Sequence, residues 1–376
     1  MIGAMKQMPF HFLMALLCLA VKTNATNAPD DFMPVRGFCI GAPRPADLDK
    51  FIAFIDHELA PRKVNTLVLR VDYNYQFESH PELRDKEALS GEEVKKLVAV
   101  CRKDGMRIIP HINLLGHQSW HTTPGNLLLK YPEFDETPWI KMPREYNATN
   151  SGGLYCKSYC PLHPKVHEVV FAVMDELCDV FEADAFHAGM DEVFYLGEDQ
   201  CPRCGGRDKA ELFADEVRRI HDHLQLHGRS LWIWGDRLID GKTTGVGKWE
   251  GSYNNTYRAI DMIPKDITIC DWHYVNPVPT AAYFAVKGFK VVACPWKSEG
   301  CAVVQADEMA EWRATATPQM KEQFQGMMQT VWSGANTFLE NDYAGTGNPT
   351  NSWKCFEALF GEINKLETAA PPPLKP

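Results

Sequence analysis

Apolar and polar positions along the chain change rhythm in a regular way. Short apolar runs of strand length fall at residues 35–40, 66–71, 107–113, 183–188, 231–234, 267–270, 290–294 and 327–332. Between them, apolar residues recur at three- and four-residue spacing over 47–59, 91–103, 164–181, 210–226 and 280–286, and a last such stretch covers 353–366. That spacing predicts amphipathic helices, each with one face turned to a core. Eight strand-then-helix units, with no Gly/Ser linker and no residue-level repeat, predict an α/β protein. The expected architecture is a single (β/α)8 TIM barrel with enlarged βα loops over 30–368, followed by a proline-rich tail at 369–376. An open doubly wound sheet is the main rival, but no Gly-rich phosphate turn follows an early strand.

The beginning of the chain has a different pattern. Lys6 precedes an apolar run at 10–21 and a small, polar stretch at 23–28. Basic, then apolar, then small is the order of an export signal, and the run is too short to span a bilayer. We therefore expect residues 1–25 to be cleaved and the mature protein to be periplasmic or extracellular, with no stable membrane span. Cys18 follows Ala15-Leu16-Leu17, which lacks the small residues a lipid-anchor cleavage site wants.

Composition narrows the partners. With 376 residues, 45% hydrophobic and 11% aromatic, the chain can bury a large core. Its 39 basic against 49 acidic side chains give a charge of −10, and no Lys/Arg run offers a phosphate-binding face, so nucleic acid is not expected as a partner. Twelve cysteines, only Cys18 of them within the signal, suit an oxidising compartment, and their odd number beyond the signal leaves at least one thiol unpaired. Cys201-Pro-Arg-Cys204-Gly205 has the spacing and following glycine of a metal knuckle, and Cys156 and Cys160 could supply two more ligands. A structural zinc on these four, or disulfides within or between the pairs, are both open. A catalytic metal would want His or carboxylate ligands, and no cofactor is required. Sequons stand at Asn147 and Asn254.

In a barrel of this kind, chemistry sits where strands give way to loops. The predicted strand ends carry Asp72, Tyr73, Asn74 and Tyr75, then Asn113 and His117, then Asp191 and Glu192. Later ends read Trp234-Gly-Asp236, Asp271-Trp272-His273-Tyr274, Pro295-Trp296 and Trp332. Any one tryptophan is explained by core packing, but four at one end of consecutive strands suit a box that grips the apolar face of a sugar or an acyl group. Asp191 and Glu192 are adjacent, so one pKa should rise unless cations or donors intervene. Neighbouring residues cannot easily flank a sugar as an ordinary retaining pair does at roughly 5 Å, or an inverting pair at more. Adjacency fits better if one carboxyl protonates the leaving oxygen while the other holds a nucleophile belonging to the substrate, such as a 2-acetamido group.

These residues resemble glycoside hydrolase family 20, the β-N-acetylhexosaminidases, from Arg36 to Trp332. Arg36-Gly37 resembles that family's first-strand opening, whose arginine binds sugar hydroxyls, and Gly116-His117 with Trp120 resembles its third-strand loop. His187-x-Gly189-x-Asp191-Glu192 is similar to its His-x-Gly-Gly-Asp-Glu signature. The resemblance implies that Asp191 orients and charge-stabilises the acetamido group as an oxazolinium ion forms. It implies that Glu192 serves as general acid and then base, and that Trp234, Trp272, Trp296 and Trp332 line the sugar pocket. Asp236 is a further candidate for substrate binding. The chain departs from the pattern at Met190, where the family has glycine, and at His111-Ile-Asn113, which alters the relay behind His117. It departs again at Trp332-Ser333-Gly334, where a glutamate reading the outer hydroxyls is expected and Glu340 or Asp342 could replace it only by another loop path. The tyrosine that partners the aspartate is not in its usual segment, with Tyr274 a candidate substitute, and the small α/β domain that commonly precedes the barrel is not expected in the few residues between the signal and Arg36. The expected function is exo-acting β-N-acetylhexosaminidase activity on a glycan or glycoconjugate ending in N-acetylglucosamine or N-acetylgalactosamine. The alternatives are a carbohydrate-binding barrel that has lost turnover, or a glycosidase pairing Glu192 with a distant carboxylate such as Asp271 or Glu340. Structural roles are open for Arg36 as an ion-pair member, His117 as a loop histidine, and Asp236 and Asp271 as caps or strand-end acceptors.

Overall fold

The computed structural model describes residues 32–143 and 155–369. The expected signal and the Asn147 sequon lie outside them. Eight strands form a closed barrel: β1 (Val35–Gly41), β2 (Thr66–Arg70), β3 (Arg107–Leu114), β4 (Ala185–Gly189), β5 (Ser230–Trp234), β6 (Thr268–Asp271), β7 (Lys290–Ala293) and β8 (Phe324–Gly334). All are parallel to their neighbours, and β1 pairs with both β2 and β8, for example Gly37 with Thr66 and with Met328. Every predicted strand is present, so the single-barrel reading holds. No helix among the described residues is long and apolar enough to cross a membrane.

Helices α1 (Leu48–Phe54), α2 (Gly91–Lys103), α3 (Val166–Val180), α4 (Lys209–Gln225), α5 (Thr280–Val286), α6 (Glu299–Thr315) and α7 (Ser352–Ala369) surround the strands. Local chemistry fixes their starts. Ser90 opens α2 with a capping box, its backbone N–H donating to Glu93 Oε2 at 2.7 Å, and Asp208 opens α4 by accepting from the backbone of Ala210 and Glu211. Helix α6 is legible only in the structure. Its inward face carries Gln305 and Arg313 among small and apolar residues, so no apolar stripe marks it.

Alternation along the strands decides which side chains reach the chemistry, because successive residues point to opposite faces. Val35, Cys39, Val68, Ile109, Ala185, Trp232, Trp234, Cys270, Val292 and Met328 fill the barrel interior, whereas Phe38, Ile40, Leu67, Leu69, Phe186 and Ile269 pack outward on the helices. The same parity sends Arg70, His111, Asn113, His187, Trp272 and Trp332 inward at or near the C-terminal mouth. It sends Arg36 and Asp271 outward.

Connections after the strands are enlarged, as expected, among them 71–90, 115–165, 190–208 and 235–267. The β3–α3 connection carries a small ribbon pairing Ser119–Trp120 with Thr123–Pro124, and then the segment 155–160. That segment is held to the rest of the same loop by Tyr159 N–H to the Leu115 carbonyl at 3.0 Å, Cys160 N–H to the Phe134 carbonyl at 2.7 Å and Glu136 N–H to the Ser158 carbonyl at 3.0 Å. The β4–α4 connection, from Met190, carries the carboxylate pair.

Candidate active site

The site is built on the turn that leaves β4. His187 Nδ1 accepts from Gly189 N–H at 3.1 Å, folding the strand end back on itself. Gly189 sits at φ +66°, and a Cβ there would lie 2.0 Å from Asn113 Oδ1, so glycine is required. Met190 follows at φ +66° and Glu192 at φ +49°. Thus the backbone keeps a left-handed conformation where the sequence replaces a glycine, and the methionine side chain is fully buried. Met190→Gly would relieve about 1–2 kcal/mol of backbone strain and remove a buried side chain worth about 2–5 kcal/mol. A net loss of about 1–3 kcal/mol is expected in denaturant titration; a variant more stable than wild type would show that the strain dominates.

His117 binds the two carboxylates together. Its Nε2 lies 3.1 Å from Asp191 Oδ2 and 3.2 Å from Glu192 Oε2. The loop approaches this closely because residue 116 is glycine, where a Cβ would stand 2.4 Å from the Asp191 carbonyl oxygen. Burial disfavours a charged imidazole, yet the facing groups together, the Asp191 carboxylate foremost and Glu192 with it, outweigh burial and hold His117 well above the usual histidine range. Burial likewise pushes Asp191 up, but the facing imidazolium holds its carboxyl below the ordinary value. The cation that adjacent carboxylates require is therefore His117. Replacing it with alanine leaves the burial of Asp191 unopposed. We expect kcat/KM to fall about 10²-fold and the acidic limb of its pH profile to move up by about one unit or more; an unmoved limb would separate His117 from Asp191.

Asp191 and Glu192 differ in their remaining contacts. Asp191 Oδ1 is buried with no hydrogen-bond partner, a free acceptor. Glu192 Oε2 accepts from the Tyr155 hydroxyl. Its backbone N–H donates to Asp236 Oδ2 at 2.9 Å, and its carbonyl oxygen faces Cys156 Sγ at 3.5 Å. Asp236 also accepts from Arg237 Nε at 2.6 Å. Burial pushes Asp236 up to about 6 despite Arg237, so the raised carboxyl lies behind the pair.

Aromatic rings wall the cleft. Tyr274 stacks on Trp272 with centroids 5.0 Å apart and meets Trp296 edge-on at 5.3 Å. Its hydroxyl accepts from Trp332 Nε1 at 2.8 Å, which leaves the phenolic hydrogen available. The Arg70 guanidinium lies over the Trp332 ring at 5.0 Å and donates to the carbonyls of Val331 and Ser333 at 3.0 and 3.1 Å. On the side of Glu192, Tyr155 packs against Trp249 at 4.8 Å and Trp120 at 4.7 Å.

Several sequence expectations are corrected. Arg36 points away from the mouth: its guanidinium pairs with Glu367 of α7 at 2.8 Å, because its parity on β1 is that of Phe38 and Ile40. Trp234 is fully buried, beneath Trp332 at 5.3 Å and beside His187 at 4.4 Å, so it is floor packing and presents no face to a ligand. Asp236 holds the Glu192 backbone and does not line the cleft. Asp271 faces outward, accepting from Thr280 Oγ1 at 2.8 Å with His273 at 3.3 Å, which removes it as a distant catalytic partner. Asp342 is buried and accepts from the backbone of Thr350 and Ser352, so it does not replace the carboxylate missing after Trp332, and Glu340 is exposed. The Asn254 sequon is tied down, its Nδ2 donating to the Val193 and Phe194 carbonyls at 2.9 and 3.1 Å.

The cysteines also regroup. All eleven among the described residues are buried and none is disulfide-bonded. Cys160, Cys201 and Cys204 converge as expected, but Cys156 lies beside Glu192, and Glu136 takes its place in the group. Sequence reasoning missed Tyr155, Trp249 and Arg70. Arg70 could have been found as a charge closing an apolar strand; the other two come from loops whose spacing carries no signal.

Comparison with known proteins gives one consistent answer. Residues 35–353 match the model of glycosyl hydrolase family 20, catalytic domain. A β-hexosaminidase of Akkermansia muciniphila is 32% identical over 130 residues, covering 34% of this chain and 24% of the relative. One from Emericella nidulans is 24% identical over 255 residues, covering 62% and 38%. The chain thus spans about a quarter to two-fifths of the length of these curated relatives. A chitobiase from Flavobacterium johnsoniae shares the fold with a TM-score of 0.61 at 19% identity, over 89% of this chain and 52% of that one.

Proposed function

The chain belongs to glycosyl hydrolase family 20, and on that footing we propose that it is an exported, exo-acting β-N-acetylhexosaminidase. It releases a terminal N-acetylglucosamine or N-acetylgalactosamine from a glycan or glycoconjugate by substrate-assisted, retaining hydrolysis. The observation that carries this reading is the asymmetry of the pair: Asp191 is held ionised by His117 with a buried, unpartnered Oδ1, and Glu192 has its Oε2 beside a histidine and a tyrosine hydroxyl.

The chemistry follows from those positions. Asp191 Oδ1 accepts the acetamido N–H and turns the amide so that its carbonyl oxygen faces C1. That oxygen forms a bond to C1 as the bond from C1 to the leaving oxygen breaks, and the Glu192 proton passes to the leaving group. The oxazolinium ion carries positive charge at the amide nitrogen, where the Asp191 carboxylate stabilises it. Water then adds to C1 on the face the leaving group left, Glu192 takes its proton, and the acetamido group is restored with retained configuration. The Tyr274 hydroxyl hydrogen, free beside Trp332, suits the acetamido oxygen. Arg70 stacked on Trp332 walls off the β2–β8 side, which supports a closed-ended sugar pocket and therefore exo action. Export is carried by the pattern of residues 1–25.

The test is a panel of 4-nitrophenyl β-glycosides. Acetamido sugars should turn over, and the glucoside lacking the acetamido group should be slower by about 10³-fold or more, having lost its internal nucleophile. Equal rates would contradict the reading. Calorimetric binding of amino sugars with no turnover would favour the binding barrel.

A further inference from the structure

We propose that Glu136, Cys160, Cys201 and Cys204 bind one zinc ion, which ties together the two loops that build the catalytic site. Four donor atoms from these residues lie within 4.8 Å of one another, and all four side chains are buried. Cys160 Sγ stands 3.7 Å from Cys201 Sγ and 3.8 Å from Cys204 Sγ. Zinc–sulfur bonds of about 2.3 Å in a tetrahedron place sulfurs about 3.8 Å apart, whereas a disulfide needs about 2.05 Å. Cys204 Sγ lies 2.8 and 2.9 Å from the Glu136 carboxylate oxygens.

The surroundings match a ligand set. Cys201-Pro-Arg-Cys204 turns tightly, with Gly205 N–H donating to the Cys201 carbonyl at 3.0 Å. A Cβ at Gly205 would meet the Asp199 and Cys201 carbonyl oxygens at 2.7 Å. Glu136 is fully buried, with one backbone donor, Glu198 N–H, at 3.2 Å. A carboxylate taken wholly out of water calls for a cation. Arg203 Nε reaches Cys160 Sγ at 3.3 Å and offsets part of the excess negative charge of a three-thiolate, one-carboxylate site. Sulfur-rich, four-coordinate ligation favours zinc over magnesium or calcium. Binding releases the thiol protons as the sulfurs become thiolates.

Glu136 and Cys160 belong to the β3–α3 connection, Cys201 and Cys204 to the β4–α4 connection, so the ion would staple them to each other. Tyr155, which holds Glu192, lies five residues before Cys160, and the carboxylate pair lies upstream of Cys201 on the other loop. The site rests on no feature of the reaction and is tested without it.

The experiment is metal analysis of the full chain purified without chelator from zinc-supplemented cells, with cobalt substitution as a second readout. Wild type should carry about one zinc per chain, and the cobalt form should show strong thiolate-to-metal absorption with tetrahedral visible bands. Cys201→Ser with Cys204→Ser should lose the metal, and Glu136→Gln should weaken it at least tenfold, while Cys301→Ser, remote from the group, should keep it. Wild-type protein without zinc, whether its thiols are free or an intact mass two daltons low reports a disulfide, would overturn the assignment; so would cobalt bound without thiolate bands.

Discussion

Glu192→Gln is expected to lower kcat by about 10²–10⁴-fold while KM changes by less than about threefold, the size of effect that a positioned general acid and base contributes. The substitution keeps shape and hydrogen-bonding capacity. Its carbonyl oxygen can still accept from the Tyr155 hydroxyl, and the backbone N–H bond to Asp236 is untouched. The left-handed backbone at residue 192 is equally open to either side chain. What disappears is a transferable proton, so the loss should be smallest for the acid-catalysed step with a good phenolate leaving group and largest for a sugar leaving group. A uniform loss across leaving groups would point to misfolding or to the second, water-adding step alone. Equal turnover by wild type and variant would remove Glu192 from the reaction.

Asp191→Asn should lower kcat/KM by about 10³-fold, for two reasons that share one atom set. In the proposed mechanism the amide cannot supply the negative charge that balances the oxazolinium nitrogen, a loss comparable to removing a preorganised transition-state partner. It also releases His117, whose raised pKa depends on this carboxylate more than on any other neighbour. The sign of the stability effect follows. A histidine with a raised folded pKa contributes stability that is fully present below its unfolded value of about 6.5 and fades as pH climbs through the folded value. The variant's deficit in denaturant titrations should therefore be large at about pH 5.5 and shrink at alkaline pH. A deficit that grows with pH would contradict the His117–Asp191 pairing. The two catalytic variants differ in one further respect: substrates without an acetamido group, already slow, should lose little more from Asp191→Asn.

The fold was legible because eight apolar strands are separated in most connections by amphipathic helices, and each of the eight strands lies where the pattern places it. Helix α6 escaped because Gln305 and Arg313 occupy its buried face. The carboxylate pair was legible because it is contiguous in sequence and follows an apolar strand. Residues whose role depends on strand parity were not. Arg36 and Asp271 sit at suggestive sequence positions, but their side chains leave the barrel on the outer face, toward Glu367 and Thr280. Arg70 obeys the inward parity and closes the mouth against Trp332. Contacts made through long loops left no local signature at all. Tyr155 reaches Glu192 across 37 positions, and Glu136 reaches Cys204 across 68. Only the closing of those loops in space joins them.

Substrate assistance is the centre of this account, and inhibition by an N-acetylglucosamine thiazoline tests it most directly, since that compound mimics the bicyclic oxazolinium and carries a nitrogen for Asp191 to hold. Measured against hydrolysis of 4-nitrophenyl N-acetyl-β-glucosaminide, the thiazoline should inhibit wild type competitively and bind at least about 10²-fold tighter than the free sugar, as transition-state-like ligands do, with that advantage lost in Asp191→Asn. Hydrolysis that continues unchanged under saturating thiazoline would show that the nucleophile comes from somewhere other than the substrate.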